Sequence, residues 1–82
     1  MDGATLKNHL DDAERDLAKA HRSVEQQRSL IERMRAQGHD TKTAESMLTT
    51  FEHSAHAMEH HRNVLLEELG LYKMGESKGS DA

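Results

Sequence analysis

Apolar positions recur along the first half of the chain in alternating steps of four and three: Leu6, Leu10, Ala13, Leu17, Ala20, Val24, then Gln27 as the one polar member, Ile31 and Met34. The same alternation resumes after residue 41, through Ala44, Leu48, Phe51, Ala55, Met58, Arg62, Leu65 and Leu69. A seam that repeats in this way marks a helix that packs along one stripe against another helix. Between the two runs lies Gly38-His39-Asp40-Thr41. Glycine supplies the left-handed conformation that ends a helix, and Asp or Thr caps the next one through a side-chain oxygen. The pattern predicts an all-α fold: an antiparallel, coiled-coil-like hairpin with helix 5–37, turn 38–41 and helix 41–69, within a folded unit of residues 5–72.

Residues 1–4 read as a disordered start, with Asp2 or Thr5 as the first N-cap. Gly70 reads as the residue that stops the second helix, with Leu71 folding back onto Leu66 in a Schellman motif. Residues 73–82, rich in Gly, Ser, Lys and Glu, read as a disordered tail.

The hairpin fixes its own alignment. With Met34 opposite Ala44, Ile31 faces Leu48, Gln27 faces Phe51, Val24 faces Ala55, Ala20 faces Met58, Leu17 faces Arg62, Ala13 faces Leu65 and Leu10 faces Leu69. Large residues meet small ones, which suits close helix approach. One flank then sets Arg35 beside Glu45, Arg28 beside Glu52 and His21 beside Glu59. The other sets Leu30 beside Met47, Ser23 beside Ser54, Asp16 beside His61 and His9 beside Glu68. Each exposed ion pair contributes only about 0–1 kcal/mol, so their role is to select the register. The two polar seam residues, Gln27 and Arg62, have the same role, and Arg62 is placed to reach Asp16.

A single seam covers one stripe on each helix, and many of its side chains are only half covered. Such a hairpin is marginal alone. Leu30 and Met47 widen the apolar stripe near the turn, and Val64 and Leu66 widen it near the other end. These four are the candidate oligomer interface. The expectation is a homodimer that forms a four-helix bundle, since closed two-fold assemblies dominate among oligomers.

Composition narrows the function more by exclusion than by assignment. The 82 residues are 34% hydrophobic and 32% charged, with one Phe, one Tyr and no Trp. No Cys is present, so neither disulfides nor thiolate metal sites can form, which fits a cytoplasmic setting. Met1 to Lys7 lacks the basic-then-apolar order of a secretory leader. The net charge is −4 with no run of Lys or Arg, so nucleic acid is not an expected partner. The longest strongly apolar run is Val64-Leu65-Leu66, far short of a membrane span. There is no phosphate loop, Cys nucleophile or Ser elbow, and the carboxylates alternate with bases as on solvated helix faces, so no catalysis and no cofactor are expected.

The seven histidines are the remaining candidate chemistry. His53, His56 and His60 lie about a helical turn apart, near Glu52 and Glu59, and imidazoles at such spacing can share Zn²⁺ or Ni²⁺. The seam places them on the outer face, with nothing behind them to orient the rings. His9, His21 and His61, opposite carboxylates, suggest a pH-responsive helix pair.

Several stretches carry a resemblance: Ala13-Glu14-Arg15, Gln27-Arg28-Ser29-Leu30-Ile31, Gly38-His39-Asp40-Thr41, Leu48-Thr49-Thr50-Phe51-Glu52 and His61-Arg62-Asn63-Val64-Leu65-Leu66. Together they resemble a set of small uncharacterised proteobacterial helical-hairpin proteins with a Gly-x-Asp-Thr turn. The resemblance implies a helical hairpin and transfers no functional residue. The leading expectation is a small, non-enzymatic, cytoplasmic interaction module that self-associates and presents charged helix faces to a protein partner. The alternative is a histidine-based metal-binding or pH-sensing protein.

Overall fold

The computed structural model describes the backbone of residues 3–81 and the side chains of residues 3–71. It is an all-α hairpin of two long helices, α1 (Gly3–Ala36) and α2 (Lys42–Asp81), packed against each other along their length. At 1.5 Å per residue, the 34 residues of α1 and 40 of α2 give rods of about 50 and 60 Å. The molecule measures 69 × 16 × 14 Å.

The turn closes as its residue types dictate. Gly38 has φ +76, the only left-handed residue among those described. Its N–H donates to the Arg35 carbonyl at 3.0 Å, and the His39 N–H donates to the Met34 carbonyl at 2.9 Å. These are the two bonds of a Schellman motif, and they satisfy carbonyls that the end of α1 would otherwise leave open. Two residues later the Asp40 carboxylate accepts from the Lys42 N–H at 3.0 Å, and the Thr41 carbonyl accepts from Glu45 N–H at 2.8 Å. Arg33 and Arg35 occupy the last turn of α1, and Glu45 the first turn of α2. Each sign matches the local helix dipole.

The core is the expected seam and little else. Leu6, Leu10, Ala13, Leu17, Val24 and Ile31 of α1 are buried with Ala44, Ala55 and Leu65 of α2. Leu6, Leu10, Ala13 and Leu65 form a cluster at the open end, with Leu69 packed on it. Ala20, Met34, Leu48, Phe51, Arg62 and Leu69 are half-buried. Met58 departs from its expected seam position: it is 36% exposed. Met58 lines the open groove between the helices with Ala13, Asp16 and His61.

The element ends differ from expectation. α1 begins at Gly3, so Gly3 and Ala4 are helical and Thr5 lies inside the helix instead of capping it; Asp2, the other cap candidate, lies outside the described residues. α2 does not stop at Leu69. Gly70 is an interior helical residue, Leu71 is 66% exposed instead of folded onto Leu66, and helix continues to Asp81 where a separate tail at 73–82 was expected. Glycine disfavours a helix by only about 1 kcal/mol relative to Ala. No proline reinforces the stop, and Leu71, Tyr72, Lys73 and Met74 carry the helix on.

Candidate interaction surface

The two flanks of the seam behave differently. On the first, Arg28 pairs with Glu52 at 3.4 Å and with Glu25 at 3.1 Å, and Arg35 pairs with Glu45. These cross-helix pairs are the ones the alignment predicts. Their side chains are 45–62% exposed, so solvent screens them and their worth is registration more than stability. His21 and Glu59, one heptad further from the turn, make no ion pair. Arginine bridges this flank because its guanidinium sits on a long stem, whereas imidazole does not reach.

On the second flank no ion pair closes between the helices among the described residues. Asp16 and His61 line one groove of about 310 Å³ together with Ala13, Ser54, Ala57 and Met58, yet no hydrogen bond or ion pair joins them. His9 and Glu68 are likewise unjoined. Arg62 turns to Asn63, its Nε donating to Oδ1 at 3.0 Å, and so does not reach Asp16 as expected. Nearer the turn, Leu30 and Met47 lie side by side in the alignment and are 38% and 47% exposed.

The four interface candidates therefore divide. Leu30 and Met47 lie on the second flank, and half-buried Val64 stands one row outside it. Leu66, 44% exposed, lies in heptad steps from Glu45, Glu52 and Glu59, on the flank sealed by arginine.

His53, His56 and His60 share an exposed groove with Glu52 and Ala57. Among the described residues no three His, Cys, Asp or Glu side chains converge closely enough to hold a metal ion. Spacing put the three imidazoles on one side of α2, but no second helix closes over them.

The polar seam residue Gln27 does more than the sequence disclosed. It is only 6% exposed, and its Nε2 donates to the Ala44 carbonyl at 2.8 Å. Helix carbonyls point toward the C-terminus, so that of Ala44 tilts from the turn toward Gln27. The bond leaves no buried side-chain polar atom unsatisfied among the described residues. The spacing marks Gln27 as a seam residue but sets it opposite Phe51, with Ala44 opposite Met34; the bond instead joins Gln27 to Ala44, seven residues nearer the turn than Phe51, and this backbone partner has no sequence signature.

No described helix is long and apolar enough to cross a membrane. The chain matches no family model, no curated protein and no solved structure.

Proposed function

We propose that this protein is a small non-enzymatic helical interaction module that works as a self-associated pair of hairpins and offers its charged helix faces to a protein partner. The carrying observation is the thinness of the core combined with what remains outside it. Among the described residues no large side chain falls below 2% exposure, while Leu30, Met47, Met58, Leu66 and Leu71 are all exposed. A rod 16 × 14 Å in section has no interior beyond its one seam, and burial of apolar area is the main source of stability. A second hairpin supplies the missing layer, as in four-helix bundles.

Sedimentation equilibrium over a wide concentration range tests this reading. The expected result is a mass twice the 9.3 kDa of the chain, with dissociation only on dilution. A 9.3 kDa particle at every concentration, still fully helical, would remove the basis for it.

A further inference from the structure

Resting on that reading, we infer that the second copy docks on the flank carrying Leu30, Met47, Ser54 and His61, with the two hairpins side by side and their turns at the same end.

Near the turn the Arg28–Glu52 and Arg35–Glu45 pairs close the first flank within one hairpin. The second carries complementary groups at matching heights that the hairpin leaves apart: Asp16 and His61 on the walls of one groove, and His9 with Glu68 beyond them. It also carries the apolar pair Leu30 and Met47 and the small pair Ser23 and Ser54. Charge in the half nearer the turn is absent from these flank positions, whereas the other flank has a charged residue at each of Arg28, Arg35, Glu45 and Glu52.

A two-fold axis along the rod sets α1 of one copy against α2 of the other at the same height. Leu30 then meets the second copy's Met47, Ser23 meets Ser54, Asp16 meets His61 and His9 meets Glu68, each twice by symmetry. Apolar joins apolar, small joins small, and opposite charges join across the interface. The other two-fold, with turns at opposite ends, sets each helix against its own copy. Centred on Ser23 and Ser54, it brings Leu30 against Asp16 and Met47 against His61, burying a carboxylate and an imidazole on apolar groups, which is costly. Layer chemistry thus selects the first arrangement. Area is sufficient: the two-helix part of one face, about 50 Å long and 16 Å wide, offers about 800 Å² per copy, matching the roughly 800 Å² per partner of a standard stable interface.

Mixed cysteine cross-linking tests the docking, and the chain has no Cys of its own to interfere. Single variants L30C, M47C, S23C, S54C and H61C are prepared at exposed or half-buried positions and checked for unchanged helicity and mass. Mixing L30C with M47C, and S23C with S54C, is expected to give at least about tenfold more disulfide-linked dimer than any variant alone, because only the mixed pairs come within disulfide reach. The M47C and H61C mixture is expected to give none above background. Efficient M47C–H61C linkage would overturn the orientation in favour of turns at opposite ends. A particle of dimer mass that none of these mixtures cross-links would overturn the choice of face and leave self-association standing. A monomer at all concentrations would overturn both.

Discussion

Gln27 shows what a single polar residue in a thin seam does. Its amide is buried and donates to the Ala44 carbonyl, itself an interior acceptor of α2. Because that carbonyl keeps its helical partner Leu48 by position, replacing Gln27 with Met removes the cross-helix bond without creating an orphan. Q27M is expected to change stability by less than about 1 kcal/mol while loosening the alignment. Q27E is the opposite case. A carboxylate there faces a carbonyl oxygen in a dry seam, and burial favours its neutral form. The folded-state pKa of the new Glu is raised above its unfolded value, so the folded state binds the proton more tightly. The penalty is absent below the unfolded value of about 4.3 and grows as pH rises toward the folded one. Urea melts of Q27E against wild type at pH 4 and pH 7 check this, and a gap that fails to widen with pH contradicts it. Gly38 is the other decisive residue. A Cβ there meets nothing within 4 Å, so the cost of G38A is backbone conformation alone, about 1–2 kcal/mol at φ +76. D-alanine at the same site should be at least as stable as glycine, because it favours positive φ and restricts the unfolded chain.

At the scale of elements, the two glycines in similar sequence contexts do opposite things. Gly38 terminates α1 because Asp40 and Thr41 follow it with the means to start another helix. Gly70 has no such sequel, and α2 passes through it. With open space around its missing Cβ, G70A is expected to stabilise the protein by about 0.5–1 kcal/mol, the reverse of G38A; thermal melts of both variants give the two signs directly. The heptad steps made the seam, the turn and the arginine flank legible, because each is set by spacing. Length of reach is not written in spacing, so the imidazole–carboxylate pairs opposite each other on paper stay open while the arginine pairs close. Nor is coverage: Met58 sits at a seam position yet is 36% exposed on the groove it shares with Ala13 and Asp16. Among the interface candidates, Leu30 and Met47 fall together because both are flank residues at one height. Leu66 falls on the other side because its heptad position is that of Glu59. Thr49 and Thr50, poor helix formers in a long helix, donate their hydroxyls to the Glu45 and Ser46 carbonyls one turn back.

For the whole molecule, the asymmetry between flanks decides which surface changes affect assembly. Near the turn the arginine flank already pairs its charges within one hairpin, so it can face water there at no loss. An R35M/E45Q double variant should unfold within about 1 kcal/mol of wild type, since the pair is exposed and screened. Leu66 sits on that same flank, and L66E should leave the assembled mass unchanged. Leu30 and Met47 sit on the flank left open, where a new carboxylate would be trapped between apolar neighbours in the associated form. L30E or M47E should therefore shift the monomer–dimer equilibrium by about 100-fold toward monomer. Because association stabilises only the folded form, the melting temperature of wild type should rise with concentration, and this dependence should vanish in L30E and M47E while persisting in L66E. If L66E dissociates the particle as readily as L30E, the flanks are equivalent and the distinction between a sealed edge and an open one has no consequence for assembly. Concentration-dependent melts of these three variants beside wild type separate the two cases without knowledge of any further partner.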